Sequence, residues 1–115
     1  YLNLVVVAES TLEPMTLLDR AFAIEESFGR ERTIPNGPRT LDIDIIVVGK
    51  HRSEEDIELP HPRAHERAFV LVPWLDIDPM GEIVGAGPIA DLVKQVDRTG
   101  VIRRDDVAIA NPGRR

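Results

Sequence analysis

The sequence predicts an α+β domain in which helices pack on a mainly antiparallel sheet. Three observations carry this. Two runs, Tyr1–Ala8 (YLNLVVVA) and Leu41–Val48 (LDIDIIVV), are rich in β-branched residues and fit no helical period. Between them, Pro14–Phe28 repeats apolar residues at helical spacing. After them, proline- and glycine-punctuated stretches leave room for two further helices. The 115 residues suffice for one small domain with one core.

The first strand puts Tyr1, Asn3, Val5 and Val7 on one face, because side chains alternate along extended chain. Tyr1 and Asn3 are then either hydrogen-bonding groups for a ligand or a polar strand end near solvent. The helix Pro14–Phe28 starts on a proline suited to a first turn and stops at Gly29. Met15, Leu17, Leu18, Ala21, Phe22, Ile24 and Phe28 share one arc. Glu25 falls inside that arc, one turn before the helix ends. A carboxylate there serves a site or pairs with a nearby arginine.

Arg30–Pro38 (RERTIPNGP) reads as a loop and is followed by Arg39 and the second strand. On that strand Asp42 and Asp44 point the same way, roughly 7 Å apart along the backbone. Like charges side by side on a largely buried strand are costly unless something positive compensates. A divalent cation answers this, since Mg²⁺ binds one or two carboxylates and leaves positions for phosphate oxygens. The alternative is a solvated face whose carboxylates bond to backbone or to Arg39. Arginines beside a carboxylate-bound cation suit a polyphosphate ligand, with metal and guanidinium neutralising different oxygens.

Gly49–Glu58 is an acidic connection expected to form a turn or a short edge hairpin. In Leu59–Phe69 (LPHPRAHERAF), Pro60 and Pro62 stiffen the chain around His61, and a helix can begin just after. His61 and His65 fall short of a zinc ligand set, whereas phosphate binding by His61 and Arg67 accounts for the same residues. Val70–Leu75 is apolar, with Trp74 as a core or rim anchor, and Pro73 and Pro79 are expected to stop or kink this helix. Met80–Pro88 reads as turns, Ile89–Val96 as a short amphipathic helix, Val101–Arg103 as a last strand, and residues 104–115 as a loose tail.

The net charge of −6 argues against a general nucleic-acid or anionic-membrane surface. The absence of cysteine excludes disulfides and thiolate metal sites and fits a reducing cytosol. No run is long and apolar enough to span a membrane. The P-loop, G-x-S-x-G and H-E-x-x-H motifs are all absent.

Taken together, GPRTLDIDI at Gly37–Ile45 and LPHPRAHERAFVLVPW at Leu59–Trp74 resemble the 6-hydroxymethyl-7,8-dihydropterin pyrophosphokinases of folate biosynthesis. YLN at Tyr1–Asn3, E-x-x-x-G-R at Glu25–Arg30 and I-D-P around Asp78 fall in matching order. The resemblance implies a cytoplasmic 2-amino-4-hydroxy-6-hydroxymethyldihydropteridine diphosphokinase with a ferredoxin-like fold. Such an enzyme moves pyrophosphate from ATP to the pterin and releases AMP. It implies two Mg²⁺ ions on Asp42 and Asp44, and ATP contacts from Glu25, Arg39, His61 and Arg67. Tyr1, Asn3 and Phe69 would form pterin contacts, with Phe69 stacking on the ring, and Arg30 and Arg39 would be catalytic. The implied partners are the two small substrates, together with fusion to or association with other folate-pathway enzymes.

Against the family pattern, the chain is expected to be the C-terminal two-thirds of the domain, without its first strand and helix. Asn36 stands where the family usually carries tryptophan, and the preceding loop is one residue shorter. The other expectation is a truncated, non-catalytic remnant that binds nucleotide, pterin or a partner chain.

Overall fold

The computed structural model describes residues 2–29 and 41–107. Its first element, α1 (Pro14–Gly29), follows the predicted span to within a residue. Ala21 is its buried residue, with Leu17, Leu18 and Glu25 half-buried on the same arc. Phe22, Ile24 and Phe28, on the flanks of that arc, are exposed.

The core lies in the second half of the chain. A 3₁₀ turn at Ala64–Glu66 leads into α2 (Ala68–Ile77). A hairpin of β1 (Glu82–Ile83) and β2 (Gly87–Pro88) pairs antiparallel, with Glu82 opposite Pro88 and Ile83 opposite Gly87. Then come α3 (Ile89–Leu92) and a 3₁₀ turn at Val93–Gln95. Ala64, Val70, Leu71, Trp74, Ile83, Ile89, Leu92 and Val93 form one buried cluster, in which Leu71 and Ile89 are fully enclosed. Val5, Ile46 and Val47 pack on it from outside, which seats both predicted strand segments against this core.

Several expectations change here. Leu2–Ala8 and Leu41–Val48 form no β-ladder among the described residues, and neither does Val101–Arg103. A side-chain pattern can specify extended chain, but a ladder needs a partner for its backbone groups. The alternation survives where the pattern is strongest: Leu41, Ile43 and Ile45 are half-buried, while Asp42 and Asp44 are exposed. Among the described residues the architecture is therefore α+β with one small two-stranded antiparallel sheet.

Pro73 does not stop α2, which runs on to Ile77. Proline removes one helical N–H bond, and burial of Val70, Leu71 and Trp74 around it offsets the loss. The turn-like Met80–Pro88 stretch holds the hairpin. There the Ala86 N–H donates to the Ile83 carbonyl at 2.9 Å, and Gly85 takes φ of 81° at the turn's third position. In the acidic connection Ser53 and Leu59 pair antiparallel, as a short edge hairpin requires. The Leu59–Pro60 peptide is cis. No helix among the described residues is long and apolar enough to cross a membrane.

Candidate active site

The segment that carries Asp42 and Asp44 is held from two sides. On one, α1 presents Glu25 near its C-terminal end. Its Oε2 accepts the backbone N–H of Ile43 at 2.6 Å, and Ile43 is the residue between the two aspartates. On the other, the His61 N–H donates to the carbonyl of Ile46 at 2.7 Å, two residues beyond Asp44. The sequence thus brings together, through backbone bonds, three positions that lie far apart along the chain.

Asp42 and Asp44 are both exposed and alternate with the half-buried Leu41, Ile43 and Ile45, so the burial expected of this carboxylate pair does not occur. Their donor set suits Mg²⁺, a hard ion that takes one or two carboxylates and completes its octahedron with water and phosphate oxygens. No group of three or more His, Cys, Asp or Glu side chains forms a closed metal cage among the described residues. An ion here would therefore depend on ligand oxygens for the rest of its shell.

His61 is half-buried, and its Nδ1 accepts the Arg63 N–H at 3.2 Å. That bond leaves Nε2 as the protonated nitrogen of the neutral ring, a donor suited to an anionic oxygen. His65 turns to Glu66 at 3.6 Å instead, and Arg63 also reaches Glu66 at 3.6 Å. Beside His61 lies an open cavity of about 1070 Å³, lined also by Arg52, Glu58, His65, Ile83 and Gly85. Neither aspartate lines it.

Arg67 is half-buried at the N-cap of α2, and its guanidinium lies over the Phe69 ring, 5.5 Å from the centroid. Phe69 is 41% exposed although its neighbours Ala68 and Val70 are buried. Asn3 is exposed, two residues from the core-packed Val5. Tyr1, Arg30, Arg39 and the 30–40 loop with Asn36 lie outside the described residues.

Two of these relationships escaped the sequence. Glu25 was legible as an odd carboxylate on an apolar arc, but its partner lies 18 residues away. The Arg67–Phe69 contact is foreshadowed only by the R-x-F spacing.

Residues 1–79 match the family described as 7,8-dihydro-6-hydroxymethylpterin-pyrophosphokinase. The chain is similar to a 2-amino-4-hydroxy-6-hydroxymethyldihydropteridine pyrophosphokinase of Mycobacterium tuberculosis strain H37Rv, 36% identical over 126 residues, covering 97% of this chain and 65% of that one. It is 42% identical over 103 residues to the protein of the same name from Synechocystis, covering 88% and 53%. It is also 44% identical over 78 residues to the Bifunctional protein FolKE of Lactococcus lactis, covering 67% and 22%. The chain thus spans at most 65% of the length of these relatives. With the family match extending over the helix that carries Glu25, the aspartate segment and the His61–Phe69 stretch, the chain belongs to the 7,8-dihydro-6-hydroxymethylpterin-pyrophosphokinase family.

Proposed function

We propose that this chain carries the nucleotide- and metal-binding part of an enzyme that transfers pyrophosphate from ATP to 6-hydroxymethyl-7,8-dihydropterin and releases AMP. The carrying observation is the pair of exposed, same-side aspartates on a segment bonded to Glu25 on one flank and to His61 on the other. The family membership supports the choice of nucleotide and pterin as substrates. The ferredoxin-like arrangement of the whole domain, with residues 1–115 as one unit, belongs to the same reading.

In this reading Asp42 and Asp44 hold Mg²⁺, which, when bound, neutralises charge on the ATP phosphates. The His61 Nε2–H and the Arg67 guanidinium donate to phosphate oxygens, the second as a planar fork. Arg30 and Arg39 add guanidinium groups on the same anion. The Phe69 ring stacks on the flat pterin, and Tyr1 and Asn3 supply hydrogen bonds to its edge. With both ligands held, the pterin hydroxymethyl oxygen attacks the β-phosphorus in line. The bond from that phosphorus to the α,β-bridging oxygen breaks, AMP departs, and the hydroxyl proton passes to solvent. Such catalysis consists mostly of positioning and charge neutralisation.

The Bifunctional protein FolKE joins a region similar to this chain to other polypeptide. That supports association of this domain with a second folate-pathway enzyme.

The test is AMP release from ATP and 6-hydroxymethyl-7,8-dihydropterin in the presence of Mg²⁺, followed by chromatography. The full chain should release AMP, and Asp42→Ala or Asp44→Ala should abolish release with the fold intact. Binding of Mg²⁺·ATP without AMP release would make the chain a binding module instead. Unchanged turnover in both variants would remove the metal role.

A further inference from the structure

We propose that Glu25 is a positioning residue, one that aligns Asp42 and Asp44 through the peptide between them, and not a ligand of the nucleotide. This rests on the metal role proposed for the two aspartates.

Glu25 lies on α1, one turn before the helix ends. It sits on the arc shared with Leu17, Leu18 and Ala21, and it is half-buried with them. A carboxylate taken partly out of water is costly unless it is hydrogen-bonded. Glu25 meets that need with the Ile43 N–H, at the short distance of 2.6 Å expected of a charged acceptor. This bond ties the end of a helix to a stretch that no ladder pairs among the described residues. Without it, the 41–45 segment would keep its alternating burial but lose a fixed peptide plane at its centre.

That peptide plane matters because of what flanks it. Ile43 turns its side chain to the half-buried face, and the residues on either side carry the two exposed carboxylates. Fixing the Ile43 N–H orients the backbone on both sides of it. Mg²⁺ demands near-octahedral geometry, so the ordering of its carboxylates before binding adds directly to affinity. A glutamine at position 25 keeps an acceptor oxygen for the Ile43 N–H, loses the charge, and exchanges the second oxygen for a donating NH2. A residue that served the ligand by its charge would fail as glutamine. A residue that serves by accepting the Ile43 N–H would keep part of its effect.

The experiment compares the full wild-type chain with Glu25→Gln and Glu25→Ala, with a thermal melt of each. The first readout is amide hydrogen exchange at Ile43 without metal or nucleotide. The second is Mg²⁺·ATP affinity by calorimetry. Glu25→Ala should speed Ile43 exchange about ten- to a hundredfold, the range for a lost bond to a charged acceptor, and should weaken Mg²⁺·ATP binding at least tenfold. Glu25→Gln, which keeps a neutral and weaker bond, should fall between wild type and Glu25→Ala in both. If the alanine chain fails to fold, the glutamine chain decides: weaker binding that tracks faster Ile43 exchange supports the role, and a change in either one without the other overturns it.

Glutamine as damaging to binding as alanine, with Ile43 exchange unchanged, would show that the charge acts on the ligand and would overturn the proposal. So would wild-type exchange at Ile43 in the alanine chain. Lack of Mg²⁺·ATP binding by the wild type removes the nucleotide reading and this role with it. Wild-type binding with an unimpaired alanine chain removes this role alone.

Discussion

The Arg67 guanidinium lies over the Phe69 ring, 5.5 Å from its centroid. At an exposed ring such a contact is worth about 0.5–1 kcal/mol. It also occupies a surface on which a flat ligand would stack. Phe69→Leu should therefore change stability by no more than about 1 kcal/mol. The same substitution should weaken binding of 6-hydroxymethylpterin about tenfold, since offset stacking adds about 0.5–1.5 kcal/mol beyond buried area. Chemical denaturation and calorimetry on the same pair of proteins check both halves.

Trp74, Asp78 and Gly81 form a tight unit at the end of α2. Trp74 is 5% exposed, and its indole N–H donates to Asp78 Oδ2 at 3.0 Å. A Cβ on Gly81 would stand 2.7 Å from Trp74 Nε1 and 2.8 Å from Asp78 Oδ2. Gly81→Ala should thus destabilise by roughly 1–3 kcal/mol through overpacking. Asp78→Ala should cost about 1–3 kcal/mol by leaving the buried indole N–H unpaired. Both should lower the denaturant midpoint without changing the slope.

How much of this was legible follows from the range of each interaction. The span of α1 was legible because its proline start, glycine stop and apolar arc are all local to Pro14–Gly29. The same holds for the helix beginning at Ile89 and for the alternation that sets Asp42 and Asp44 apart from Leu41, Ile43 and Ile45, though not for the exposure of the two carboxylates. The missing ladders were not legible, because strand pairing is decided by partners distant in sequence. The hairpin at Glu82–Pro88 has two residues in each strand, too few for a periodic pattern. For Glu25 the anomaly was legible but not its resolution, since the Ile43 N–H it bonds is brought near only by the fold. The hydrogen bond joining the His61 N–H to the Ile46 carbonyl is of the same non-local kind.

Asp97 offers a pH test away from the site. The Thr99 side chain, and after it the Thr99 N–H that donates to Asp97 Oδ1 at 2.9 Å, hold this carboxyl below its ordinary value of 3.8. A folded-state value depressed in this way favours the folded chain above the unfolded pKa. The contribution disappears as pH falls through the folded value. Carbon-detected NMR titration should place Asp97 below 3.8 in the wild type, and Thr99→Ala should move it upward. No upward movement would remove the Thr99 contribution.

Adjacent positions on α1 make the sharpest stability contrast. Ala21 is 6% exposed, and Phe22 beside it is 55% exposed. Composition alone would rank the phenylalanine as the greater anchor, yet the helix turns it outward with Ile24 and Phe28. Ala21→Lys would force an ammonium and its stem into a packed, apolar contact, and should destabilise by about 2 kcal/mol or more. Phe22→Lys should shift stability by no more than about 0.5 kcal/mol, as for a surface replacement. It should also reduce binding of a hydrophobic dye, because exposed apolar side chains recruit such dyes. Denaturation midpoints for the two variants, with dye fluorescence on the folded proteins, decide the matter. A large loss at Phe22 would mean that its ring is covered in solution, and the burial assigned to this face of α1 would be wrong.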